Sequence, residues 1–356
     1  MPPRAAVVAL VLFAGLAARV DAADFMFRAM VDGVSYEGKP LTWNKSSVAL
    51  LNRDGQLFEF AASRAKQAKK TAPRFSGYST EEMRQRLYEE FGSGYDYTST
   101  QHYVVVHARG GKAVWADRFE RMFRTFSQYF RVRGFNVQDP PYPLVAVVFR
   151  NRSEYQRYVT KSKSGAPSGA LGHYESLSNR VYLYDQSSVG DDRWAETAST
   201  VVHEATHQTA YNVGVHNRFA AGSRWVSEGL ATMFEARGVH DARSYDRGDS
   251  RINQGRLRDF REVVLPNQAV GDLSAFVASD QMFQRKPIPA YAQAWALTFF
   301  LSETRPREYS AYLAKTNERP LFGEYPASER VADFRGAFGT DLVQLESAFH
   351  SYVAEL

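Results

Sequence analysis

The pentapeptide His203-Glu204-Ala205-Thr206-His207 constrains this chain more than any other stretch of it. Histidines at i and i+4 stand one above the other on a helix face, so both imidazoles can reach one metal ion. Glu204 points beside that face, where it can hold a water molecule on the metal and take its proton. H-E-x-x-H on a helix is the zinc-hydrolase pattern. The segment therefore predicts helix, metal and catalytic base together.

The chain has 356 residues and no cysteine, which excludes disulfides, thiol catalysis, zinc ribbons and iron–sulfur clusters. A zinc ion here must be held by histidine and carboxylate. Apolar residues make up 44% and charged residues 23%, an ordinary globular balance rich in core material, with 24 Phe and 20 Tyr. Residues 1–22 read as a secretory signal: Arg4, an apolar run from Ala5 to Ala18, and cleavage near Ala22. That run is short for a membrane span, and no second one approaches spanning length. The expected location is therefore secreted or periplasmic. The net charge is +5. Its one dense cluster, Arg64, Lys66, Lys69, Lys70 and Arg74, reads as a solvated helix face, with contact to an anionic envelope surface as the sharper alternative. No nucleic-acid motif is present.

Residues 23–75 read as a small β-rich unit, with a hairpin turning at Asp54-Gly55 and a helix over Ala61 to Lys70. Residues 76–100 read as a connection containing a short helix, Glu81 to Phe91. The main domain, 101–356, opens with a sheet part over 101–190. Its strands are Tyr103 to Ala108, Leu144 to Phe149 and Arg180 to Tyr184, the last paired with the segment around His173 and Tyr174. Between them, a helix from Val114 to Val132 carries Phe119, Met122, Phe123, Phe126 and Phe130 as a core stripe. Ser153 is expected to cap a shorter helix. The motif helix starts at Asp191 or Asp192 and ends at Gly214; the next is capped by Ser223 and stops at Gly238. Helices follow through 239–356. Strands first and helices after give an α+β class, a small mixed sheet on the motif helix followed by a mainly helical part.

Two histidines leave a zinc site incomplete, since a catalytic zinc has three protein ligands and one open position. Trp225-Val226-Ser227-Glu228-Gly229-Leu230-Ala231 supplies the third, Glu228, on the next helix, and Gly229 would let the two helices approach closely. H-E-x-x-H followed by W-x-x-E-G-x-A resembles the gluzincin metallopeptidases, and within them peptidase-MA-like proteins of the bacterial domain-of-unknown-function 1570 group. The resemblance runs from Tyr103 to Leu356 and takes in Tyr291-Ala292-Gln293-Ala294-Trp295. It implies a zincin-like domain in which His203, His207 and Glu228 hold Zn2+, Glu204 is the general base and Tyr291 supports the oxyanion. It also implies that Gly169 to Tyr174 is the sheet edge along which an extended peptide binds. Many gluzincins have Asp one turn after the glutamate ligand. Here Thr232 stands there, and Glu235 is the alternative partner for a ligand histidine. His173 and His216 could line the site; His102, His107, His240 and His350 show no partner pattern.

The expected function is an exported zinc metallopeptidase acting on peptides or proteins. Two alternatives stay open: a gluzincin-like scaffold with a binding or assembly role, and a zinc hydrolase of non-peptide amides or esters. No phosphate loop, G-x-S-x-G elbow or dinucleotide fingerprint occurs.

Overall fold

The computed structural model describes residues 24–110, 114–162, 169–186, 191–241, 248–267 and 269–356, leaving aside the side chains of 191–198. The expected signal segment, most of the Gly-rich passage before Gly172 and the capping role of Asp191 or Asp192 lie outside the described residues. None of the described helices is long and apolar enough to cross a membrane. The described residues divide into two compact units, those up to Leu50 with Glu59–Phe75, and Leu51–Phe58 with those from Ser76 to Leu356.

The first unit is built on a five-stranded sheet in the order β4-β3-β2-β1-β5. Its strands are β1 (Met26–Val31), β2 (Val34–Trp43), β3 (Ser47–Asn52), β4 (Leu57–Ala61) and β5 (Lys66–Ala72). The expected hairpin is β3–β4, and Gly55 takes the left-handed conformation (φ 83°) that its turn requires. The expected helix over 61–70 is not formed. A single 3-10 turn, Ala62–Arg64, leads into β5, which pairs antiparallel with β1. Lys-Gln-Ala-Lys-Lys favours helix locally but has no apolar stripe to bury. Pairing with β1 satisfies its backbone groups, and that non-local gain decides the outcome.

The second unit begins earlier than expected. Helix α1 (Thr80–Phe91) is closed by a Ser79/Glu82 capping box, and β6 (Tyr95–Ser99) is a sheet strand, so 76–100 is structure and not a connection. The sheet order is β6-β7-β8-β10-β9, with β7 (Tyr103–Ala108), β8 (Leu144–Phe149), β9 (Gly172–Glu175) and β10 (Arg180–Tyr184). Strands β7, β8 and β10 are parallel, whereas β6 and β9 run antiparallel at the two edges. The central strand β8 is buried throughout, as its unbroken apolar sequence predicts. One face of the sheet packs on α1 and α3 (Arg152–Ser162) through Met83, Leu87 and Tyr155. Asn151, not Ser153, caps α3, with its Oδ1 accepting from Glu154 N at 3.0 Å. On the other side, α2 (Val114–Arg131) buries its aromatic stripe, and α4 (Asp191–Asn212) contacts β9, β10 and α2.

The remainder is helical: α5 (Arg224–Phe234), α6 (Arg237–His240), α7 (Gln254–Asp259), α8 (Asp272–Ala278), α9 (Gln281–Arg285), α10 (Pro287–Thr304), α11 (Pro306–Asn317), α12 (Ala327–Phe338) and α13 (Leu342–Glu355). Gly238, expected to stop the helix after the motif, lies inside α6, because α5 already ends at Phe234. Gly229 does permit a close approach, but to α10 and not to α4. A Cβ there would stand 2.4 Å from Ala294 O and 2.2 Å from Thr298 Oγ1.

The hairpin tip, Leu51–Phe58, belongs to the second unit. Arg218 donates to Gly55 O at 2.6 Å, and Leu57 N donates to Leu177 O at 2.8 Å. A side chain at Gly55 would meet the Tyr142 ring at 2.7 Å.

Candidate metal centre

Helix α4 is fixed across the sheet by the residue next to the motif. Buried Gln208 donates through Nε2 to Val145 O at 3.0 Å and to Asn179 O at 2.7 Å. These bonds bind the helix to backbone oxygens on or beside β8 and β10 and set the rotation of His203, Glu204 and His207. Gly214 (φ 86°) ends α4 as expected, and the loop to Ser223 returns the chain so that α5 packs beside α4.

Glu228 then faces both histidines. His203 Nε2 and His207 Nε2 lie 3.2 Å apart, and Glu228 Oε2 is 3.4 Å from the first and 3.5 Å from the second. Among the described residues these three form a group able to hold a metal ion. Donors about 2.0–2.1 Å from an ion at the tetrahedral angle are separated by roughly 3.3–3.4 Å, so the spacing fits zinc. The chemistry fits as well. Glu228 Oε2 is buried without a hydrogen bond of proper geometry, and two ring nitrogens point at each other across the same space. A cation among the three atoms would satisfy all of them. Without a metal, protons take its place. Burial opposes charge on His203, yet Glu228 and Glu235 hold its imidazolium well above the ordinary range. Burial likewise opposes ionisation of Glu228, yet His207 and His203 hold its carboxyl well below the usual range.

The supporting partner of His203 is Glu235. Its Oε1 accepts from His203 Nδ1 at 2.8 Å, which directs Nε2 toward the ligand set and would keep it free for a bound ion. Asn253 holds the other oxygen of Glu235 at 2.9 Å and also donates to Thr232 O. Thr232 itself turns back on its own helix, with Oγ1 donating to Glu228 O at 2.7 Å. Of the two alternatives left open in the sequence, the structure brings Glu235 to the histidine and keeps Thr232 away.

Glu204 stands beside the triad. Tyr174 N, on the edge strand β9, donates to Glu204 Oε2 at 2.7 Å. Burial pushes the Glu204 carboxyl up, against the pull of His203 and His207. Tyr291, on α10, also belongs to this region. Arg224 NH2 donates to its hydroxyl at 3.3 Å, and Arg224 Nε is 3.4 Å from Glu228 Oε1. Burial and the nearby Glu228 push the Tyr291 phenol up.

The other histidines are placed elsewhere. His173 turns to the far face of β9, where Tyr155 OH meets its Nδ1 at 2.8 Å and burial holds it down at about 4. His216 lies beside Tyr211; burial, aided by His207, holds it at about 3, so it is neutral. His102 pairs with Glu120, His107 with Thr98, and His240 with Phe234 O. Sequence reasoning missed Arg224, Asn253 and the Tyr174 N–H. Arg224 lies one turn before Glu228 on the same helix face, a readable signal. Asn253 and a backbone donor carry none.

Residues 197–322 match the family described as "Protein of unknown function (DUF1570)". The matched stretch begins within α4, ends beyond α11, and contains His203, Glu204, His207, Glu228, Glu235 and Tyr291. It does not reach the sheet or the closing helices, which the resemblance read from the sequence had included. No curated protein matches the chain. Over 197–322 the chain is therefore similar to the domain-of-unknown-function 1570 group, which supports the resemblance read from its two motifs.

Proposed function

We propose that this chain is an exported zinc-dependent peptidase with a zincin-like domain, of the gluzincin kind. The observation that carries the reading is the set of three donor atoms 3.2–3.5 Å apart with a half-buried carboxylate, Glu204, held beside them. His203, His207 and Glu228 would hold the ion. Once bound, zinc would supply Lewis acidity and make water a nucleophile near neutral pH. Glu204 accepts the proton of the attacking water and passes it to the departing amine. Its raised pKa, set by burial, suits both halves of that transfer. Glu235 fixes the ring and tautomer of His203. Tyr291, steadied by Arg224, donates toward the oxygen that gains charge. The edge of β9 offers extended backbone against which a peptide can lie. The leader read in residues 1–22 supports export.

Metal analysis of the purified chain, combined with a peptide-library assay of Glu204→Gln, tests the proposal. About one zinc per chain is expected, with turnover in the wild type and its near-complete loss in the variant. Stoichiometric zinc with no turnover on peptides, amides or esters would favour the scaffold reading.

A further inference from the structure

Between the two ligand-bearing helices lies a cavity of about 200 Å³ that the hydrolytic steps leave unused. Its walls include Tyr211, one turn beyond His207, and Ser223, Arg224 and Ser227, which lead into Glu228. Among the described residues lining it, Arg224 is the only charged one; His216 is neutral, and no carboxylate faces the space.

Three further observations give this cavity a preference. First, Ser223 occupies the N-cap position of α5, but its hydroxyl makes no capping bond. The residue is 4% exposed, and its Oγ has no hydrogen-bond partner in the chain. A buried hydroxyl without a partner is destabilising, and a ligand acceptor would relieve it. Second, His216, which also lines the cavity, has its Nε2 buried and without a hydrogen bond. Third, the Arg224 guanidinium is already oriented. It lies 5.0 Å over the Phe283 ring, reaches Glu228 and Tyr291, and its backbone N is fixed by Asp280 at 2.9 Å. The side chain remains 41% exposed, with donors to spare. The positive end of the eleven-residue helix α5 points the same way.

We propose that this cavity is a carboxylate-binding subsite, with Arg224 and Ser223 as its ligands, that gives the enzyme a preference for substrates carrying an acidic group beside the scissile bond. The proposal rests on the peptidase reading for its meaning, but its binding half does not depend on turnover. The carboxylate could be an Asp or Glu side chain or the carboxyl terminus of the peptide.

The test uses the full zinc-loaded chain and matched peptides with Glu or Gln beside the cleaved bond, each as free acid and as C-terminal amide. The wild type is expected to favour one carboxylate over its neutral counterpart about tenfold in kcat/KM, equivalent to one charge-assisted contact. The Glu/Gln arm and the acid/amide arm tell the two sources apart. Arg224→Lys should keep part of the preference, whereas Arg224→Gln and Ser223→Ala should bring the ratio toward one, with zinc content measured for each. Calorimetric titration of N-acetylglutamate into the metal-free chain supplies a second readout, and binding should weaken in both variants. Turnover with equal rates for charged and neutral peptides overturns the subsite. So does a chain that neither turns over peptides nor binds N-acetylglutamate. Binding without turnover would uphold the subsite and count against the peptidase reading alone.

Discussion

Two edge strands, β5 in the first sheet and β9 in the second, solve the same problem in opposite ways. An edge strand exposes unpaired backbone groups that invite another chain. In β5 the defence is charge. Five of its seven residues are exposed, among them Lys66, Lys69 and Lys70. Lys69 lies directly across from Arg28, a like-charged pair that Glu37, 2.9 Å from Arg28, partly offsets. A bulge at Gln67, with φ 51°, sets Lys66 opposite Met30 and Lys69 opposite Arg28, so both lysines share one face although three residues apart. In β9 one backbone donor of the edge is committed instead. Gly172 and His173 are buried, and the N–H of Tyr174 is spent on Glu204. The comparison teaches that an edge can be closed by repulsion or committed to a neighbouring side chain. Only the second kind ties sheet geometry to the candidate centre.

The largest effect should come from removing the group that β9 holds. Glu204→Gln is expected to lower kcat about 10³-fold, within the span typical of a lost general base, with zinc content unchanged. Full activity in that variant would leave the β9 edge with a structural role only. Next is Gly172→Val. A Cβ at this position would stand 2.8 Å from Leu183 Cβ and 2.9 Å from Tyr182 O, so the strand must shift. A loss of about 3 kcal/mol in urea unfolding is expected.

His173 gives β9 a pH dependence. Burial lowers its pKa from 6.5 to about 4, so the unfolded chain takes up the proton first as pH falls. Its contribution is whole above pH 6.5 and is lost as pH falls through 4. At pH 5 the loss relative to pH 7 should be on the order of 2 kcal/mol. Unfolding curves at both pH values would show a smaller difference for His173→Gln than for the wild type; equal differences would remove His173 from the account. The smallest effect belongs to β5. Lys69→Glu replaces a like-charged pair with an attractive one and should raise stability by about 0.2–1 kcal/mol, without altering activity.

Much of the centre was legible because its parts repeat at helical spacing. His203, Glu204 and His207 share one turn, and Glu235 lies seven residues, two turns, after Glu228. The structure turns that second spacing into a 2.8 Å contact with His203. What stayed hidden depends on groups that sequence does not label. The donor to Glu204 is a backbone N–H available to any residue but proline, and Asn253 acts across 18 residues. Gly229 was rightly read as a point of close approach, but its neighbour was α10, a helix 60 residues further on that no local pattern connects to it. The β5 segment failed for a related reason. Its residues favour helix, and only pairing with β1, about 40 residues earlier, supplies a better alternative. Local periodicity identifies a face, whereas the partner of that face is settled by the whole chain.

The hairpin tip at Leu51–Phe58 has a practical consequence for where the chain can be cut. A chain trimmed to begin at Ser76 would keep every residue of the metal centre. It would also leave Arg218 without Gly55 O, Leu177 O without its donor, and the Tyr142 ring uncovered. Arg218 also acts on the Tyr174 hydroxyl, whose backbone N–H steadies Glu204. The smallest piece able to report on the centre therefore starts before Leu51, and a protease that nicks the hairpin would loosen β9 while sparing each residue of the candidate centre.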